Sequence, residues 1–137
     1  MVRHCANMAS FVIFFKDDKV CLMRRQGTNH MCGKMSLPAG HVDQNESFRD
    51  AAIREMREEV GISLTTAQLQ FAVMEHSHGC DYVNAYFIAR KWDGEIKINE
   101  PEKCSEISWH AIDNLPEDTI PYIRSVLENL DEMYQER

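Results

Sequence analysis

The sequence predicts an α+β domain, a mixed β-sheet with helices on its faces. Three observations point there. Several short runs are rich in β-branched, aromatic and aliphatic residues, apolar residues recur with a period near 3.6 in two longer ones, and the order is strands, helix, strands, helix. The 137 residues suit one compact domain, and 44% of them are hydrophobic, enough for a core without disulfides. No internal repeat or low-complexity linker divides the chain, so residues 1–137 read as a single domain.

The elements follow in order. Residues 1–9 read as a lead-in. Residues 10–15 (Ser-Phe-Val-Ile-Phe-Phe) are β-branched and aromatic and predict a buried strand. A polar turn at 16–19 and a strand at 20–23 complete a hairpin, with Arg24 and Arg25 at its end. Residues 26–34, with Gly27, Asn29 and Gly33, form a loop. Residues 36–40 are extended, because Pro38 keeps its predecessor out of helical space. A helix runs from Glu46 or Ser47 to Val60, stopped by Gly61. Strands are expected at 69–75, 82–89, 95–98 and 106–110, with turns at 76–81 and 93–94 and a loop at 101–103. A short helical turn at 111–115 precedes Pro116. Ile123, Val126, Leu127 and Leu130 then mark an amphipathic helix over 121–133.

Charge narrows the function. Fifteen Lys and Arg against 22 Asp and Glu leave a net charge of −7, which argues against a binder of polymeric nucleic acid. A small anionic substrate remains compatible, since a bound cation can invert the local potential. No apolar run approaches a membrane span and the N-terminus lacks a signal pattern, so the expected location is cytoplasmic. Five cysteines with wide spacings and no C-x-x-C read as reduced thiols. His76, His78 and Cys80 alternate in one turn, but no fourth ligand stands at zinc-site spacing.

The central helix concentrates the chemistry. At about 100° per residue, Glu55, Glu58 and Glu59 share one arc. Ala52, Met56 and Val60 occupy the adjoining arc and must face the core. Like charges at these spacings repel, and more so when desolvated. Taken alone, the cluster is either a solvated acidic face or a set of hard oxygen ligands for Mg²⁺ or Mn²⁺ beside a phosphate.

The surrounding residues resemble the Nudix hydrolase signature, G-x5-E-x7-R-E-U-x-E-E-x-G-U, where U is bulky and aliphatic. Gly40, Glu46, Arg54, Glu55, Met56, Glu58, Glu59, Gly61 and Ile62 fill every fixed position. Residues 22–25 resemble the strand end that precedes the motif, and Trp109 with Leu115-Pro116 resembles the segment that follows it. One departure is Ala39, where many members carry glycine.

The resemblance implies an α/β/α sandwich around a mixed sheet and metal-dependent cleavage of a nucleotide pyrophosphate. It implies that Glu55, Glu58 and Glu59 hold the metal, with the Gly40 carbonyl assisting. Arg54 would orient a motif glutamate, and Glu46 would support the site. The general base would be Glu58 or Glu59, or a glutamate of the later loop (Glu100, Glu102 or Glu106), of which Glu102 is preferred. Arg24 is the expected phosphate contact. Phe11, Asn84 and Phe87 are the chosen substrate contacts from a wider group with Ile13, Tyr82 and Trp109, residues that strand alternation otherwise assigns to the core.

The short chain and residues 100–104 ahead of Trp109 resemble the MutT-like branch, which implies hydrolysis of a nucleoside triphosphate, standard or oxidised, to a monophosphate and pyrophosphate. The alternatives are ADP-ribose or another nucleoside diphosphate linked to a second group, and a nucleotide sensor without activity. The intact glutamates argue against the sensor. The partner is a small nucleotide, and the protein is a monomer or homodimer.

Overall fold

The computed structural model describes residues 1–27, 31–77 and 79–134. Asn29 of the expected loop and His78 of the expected turn lie outside them. The elements are β1 (Asn7–Lys16), β2 (Lys19–Arg25), β3 (Met35–Ser36), β4 (Ala39–His41), α1 (Phe48–Val60), β5 (Gln70–Ser77), β6 (Tyr82–Ala89), β7 (Cys104–His110) and α2 (Pro121–Tyr134). The path through the sheet is β3-β2-β1-β6-β5, with β4 added to β1 and β7 to β2. The β1–β6 pair is parallel and the other pairs are antiparallel. The sheet is therefore mixed, as the sequence predicts.

Alternation along β1 builds the two cores. Phe11 and Ile13 face α2 with Leu22, Tyr86, Ile88, Ile120, Ile123 and Leu127. Val12 and Phe14 face the other way, toward Met56 and Val60 of α1 and Ala85, Phe87 and Ala89 of β6. Each helix buries its apolar stripe on one face, which gives the α/β/α sandwich. Among the described residues, no helix is long and apolar enough to cross a membrane.

Helix α1 is closed at both ends. Ser47 Oγ accepts from the Asp50 amide at 3.0 Å, and the Asp50 carboxylate accepts from the Ser47 amide at 3.1 Å, a reciprocal capping box. Gly61 stops the helix in the left-handed region, at φ +71°, and its amide donates to the Met56 carbonyl.

Four differences from the sequence expectation have physical causes. The predicted strand at 95–98 is absent. Its amides serve the helix end instead, Lys97 donating to the Val60 carbonyl at 3.1 Å and Asn99 to the Glu59 carbonyl at 3.0 Å. Strand β1 starts at Asn7, because its parallel pairing continues to Asn7 opposite Tyr82. Strand β5 runs on to Ser77, paired with Tyr82, which shortens the turn. The extended segment around Pro38 divides into β3 and β4, since proline has no amide for the ladder. The Pro38 carbonyl still accepts from Val12 at 3.0 Å.

Replacing Gly61 with alanine forces an L-residue into the left-handed region and brings its Cβ to 2.9 Å from Lys97 Cε. Urea unfolding should report a loss of about 1–2 kcal/mol, with native circular dichroism retained.

Candidate active site

Strand β4 pairs with β1 so that Gly40 lies opposite Ser10, at the sheet edge beside α1. Ser10 Oγ donates to the Phe48 carbonyl at 2.7 Å and fixes the helix start against β1. A side chain at Gly40 would collide with the stem and carboxyl of Glu55. Glycine is required there because Glu55 packs directly over the loop backbone.

Arg54 binds this loop to the helix. Its Nε donates to Glu46 at 2.6 Å and one Nη to the same carboxylate at 2.9 Å, a bidentate pair. It also donates to Glu55 Oε1 at 2.8 Å and to the His41 carbonyl at 3.0 Å, and it reaches Glu58 at 3.4 Å. The Arg54 hydrogen bonds hold the Glu46 carboxyl below its ordinary range. Glu46 is thus committed to the arginine.

The remaining carboxylates are crowded. Burial pushes the Glu55 carboxyl up, against the pull of Arg54. Glu59 is pushed up to about 8, first by burial and then by the charge of Glu55, with Glu100 adding to it. It accepts a long hydrogen bond, 3.4 Å from the Ala39 amide. Glu58 is half exposed at the rim, with 51% of its side-chain surface open.

The loop contributes Glu100, not Glu102. The Glu100 carbonyl accepts from the amides of Lys103 and Cys104 at 2.9 and 3.2 Å, a tight turn that throws residues 101–103 outward. Glu102 is exposed, whereas Glu100 bears electrostatically on Glu55 and Glu59. The Glu100 Oε1 is buried without a hydrogen bond, and the Lys103 ammonium stands 3.8 Å away. Glu106 is used elsewhere, in the Arg24 ion pair. Of the loop glutamates, the structure sets Glu100, and not the Glu102 preferred from sequence, beside the helix carboxylates.

A divalent cation fits this donor set. Glu55, Glu59 and Glu100 bring desolvated carboxylates together with too little positive charge, and one oxygen is orphaned. Hard oxygen donors in that arrangement suit Mg²⁺ or Mn²⁺.

The NUDIX domain family matches residues 6–130. The chain belongs to the Nudix family.

Among its relatives is the 8-oxo-dGTP diphosphatase of Escherichia coli K12, 26% identical over 115 residues, covering 82% of this chain and 88% of that one. The NAD-capped RNA hydrolase NudC of Stutzerimonas stutzeri is 33% identical over 108 residues, but the match spans only 36% of its length. The crystal structure of a MutT NUDIX hydrolase from Burkholderia pseudomallei superposes with a TM-score of 0.81 at 25% identity, covering 92% of this chain and 98% of that one. The MutT protein of Methanosarcina mazei shares the fold, with a TM-score of 0.78 at 20% identity. Nudix hydrolases cleave acid anhydrides of phosphorus with the help of divalent metal ions, and this chain is one of them.

Two expected substrate contacts of this Nudix chain are placed otherwise. Arg24 donates to Glu106 at 2.9 Å, to Asp118 at 2.5 Å and to the Gly33 carbonyl at 2.8 Å. These bonds tie β2 to β7 and to the approach to α2, so the guanidinium is a brace rather than a free phosphate contact. Phe87 and Asn84 cannot line one pocket, because strand alternation sends them to opposite faces. Phe87 faces α1, with Phe71 edge-on at 6.1 Å and the Arg49 guanidinium 5.0 Å above its ring.

Asn84 shares the α2 face with Phe11, which stacks on Tyr86 at 4.7 Å. Asn84 Nδ2 donates to Glu75 at 3.4 Å, Tyr86 Oη donates to the same oxygen at 2.6 Å, and Asn84 Oδ1 is buried without a partner. Trp109 stacks on Trp92 in the α1-side core and contributes to packing.

In metal-free protein, Glu59 makes stability pH-dependent. The fold keeps a proton that the unfolded chain loses near the ordinary value of 4.5. The contribution is full below that value and is lost as pH rises through about 8. Glu46 and Asp118, held low by Arg54 and Arg24, act in the opposite sense and only in acid. Thermal melts with chelator should therefore show the midpoint falling between about pH 5 and pH 9. Glu59→Gln should flatten that fall.

Proposed function

We propose that this protein hydrolyses a nucleoside triphosphate, standard or oxidised, to the monophosphate and pyrophosphate, with Mg²⁺ or Mn²⁺ as cofactor. The observation that carries the reading is the crowded set of Glu55, Glu59 and Glu100 against Gly40, with the polar Asn84 close by in an otherwise apolar strand face. His41 and Asn84 both pair with Ala9, from opposite sides of β1. Two strand spacings, about 10 Å, separate them. Phosphates at the carboxylates would thus leave a nucleoside near His41 and Tyr82, at the edge of the layer in which Asn84 is buried. The relatives in Escherichia coli and Proteus vulgaris named 8-oxo-dGTP diphosphatase, of which this chain covers 88% and 80%, support a triphosphate substrate. The net charge of −7 favours a small nucleotide over a polynucleotide.

The roles follow from the positions. Arg54 clamps Glu46 and Glu55, so the loop at Gly40 and the helix move as one body. Glu55 and Glu59 would hold the cofactor from the helix, and Glu100 would complete the set from the loop. A bound divalent cation supplies charge to neutralise phosphate oxygens and to acidify a water. Glu58, open at the rim, takes the proton of the attacking water. Electrostatic stabilisation and positioning supply most of the barrier reduction. The NudC relatives favour a second reading, a nucleoside diphosphate linked to another group.

A panel of triphosphates, oxidised triphosphates, ADP-ribose and dinucleotides, assayed with Mg²⁺ for phosphate and pyrophosphate, tests the proposal. Pyrophosphate from a triphosphate is expected. Turnover of ADP-ribose alone overturns the substrate class, and no turnover at all overturns the enzyme. In the same assay Glu58→Gln and Glu59→Gln should each lower kcat by about 10²–10⁴-fold with the fold intact. Glu100→Gln should cost more activity than Glu102→Gln. The reverse order would remove Glu100 from the site.

A further inference from the structure

We propose that His4, His76 and Asp81 form a second metal site, for a borderline transition ion such as Zn²⁺. It lies at the β5–β6 turn and goes beyond the hydrolytic reading. His4 Nε2 stands 3.0 Å from Asp81 Oδ1. The rings of His4 and His76 meet edge-on with centroids 6.0 Å apart. One ligand atom from each of the three residues lies within 4.8 Å of the other two.

In a zinc site with metal–ligand distances of about 2.0–2.2 Å, neighbouring ligand atoms are about 3.3–3.6 Å apart. Closing that difference takes a shift of about 1 Å in exposed side chains. The backbone already holds the segments together, because the Asn7 amide donates to the Asp81 carbonyl at 2.9 Å. Asp81 occupies the left-handed region at φ +56°, a conformation that aspartate tolerates.

The donor chemistry separates this site from the carboxylate cluster. Two imidazole nitrogens and one carboxylate oxygen suit zinc, with an open fourth position for water. Mg²⁺ prefers oxygen ligands alone and has no such set here. The sequence shows only part of it. His76, His78 and Cys80 look like an incomplete motif, and the Cys80 thiol lies 3.2 Å from Ser77 Oγ. The further nitrogen comes from the N-terminal lead, and the oxygen from Asp81. A bound ion would pin that lead across the turn, next to Tyr82, whose hydroxyl is 2.7 Å from His41.

Equilibrium dialysis of the full chain against Zn²⁺, with excess Mg²⁺ present, tests the site. The unaltered protein and a Glu55→Gln/Glu59→Gln variant should each retain one zinc that His4→Gln/His76→Gln lacks. Zinc should also shift the imidazole nitrogen resonances of His4 and His76 in the unaltered protein. Equal zinc binding by the histidine variant, or loss of all zinc in the glutamate variant, would overturn the proposal. So would imidazole resonances that do not move.

Discussion

Glu55 and Glu100 bear on Glu59, a carboxylate almost wholly removed from water, and none would choose the others as neighbours. Desolvation and like charge both oppose the ionisation of Glu55 and Glu59. They stay together because stronger constraints hold the chain. The apolar stripe of Ala52, Met56 and Val60 fixes the rotation of α1. The capping box at Ser47 and the glycine stop at Gly61 fix its ends. Arg54 locks the loop through Glu46, and the turn at 100–104 aims Glu100 inward. A divalent cation would relieve this repulsion, and the sandwich holds the carboxylates in place for one.

Much of this was legible in the sequence. The helix, its glycine stop and the arc of three glutamates follow from a 3.6-residue period, and the signature from Gly40 to Ile62 points to the chemistry. What escaped was set by backbone and tertiary geometry. Glu100 and Glu102 differ only in which side of a tight turn they occupy, and a loop has no period to reveal that. Residues 95–98 alternate like a strand, yet the amides of Lys97 and Asn99 meet stronger demand from the carbonyls of Val60 and Glu59. Arg24 looked like a phosphate ligand because its partners, Glu106 and Asp118, lie far along the chain. The separation of Phe87 from Asn84 was readable, since their parity in β6 already assigns them opposite faces.

The face carrying Asn84 adds a polar feature to an apolar layer. Glu75 accepts from both Tyr86 and the Asn84 amide, so the Asn84 side chain is fixed with its oxygen left over. A buried acceptor without a partner calls for a donor. A nucleobase edge supplies donors, which ties this face to the nucleotide reading. The β5–β6 turn beyond it carries nitrogen ligands, whereas the helix carboxylates offer only oxygens, so the two clusters would discriminate between ions by donor type.

Proton release on metal binding tests the crowded carboxylates most directly. At pH 7 the Glu59 carboxyl, pushed up to about 8, holds a proton that a divalent ion must displace. Calorimetric Mg²⁺ titrations in buffers of different ionisation heat should show about one proton released per ion bound, and close to none in Glu59→Gln. Mg²⁺ binding to the unaltered protein without proton release would contradict the crowding of Glu59 on which the site rests.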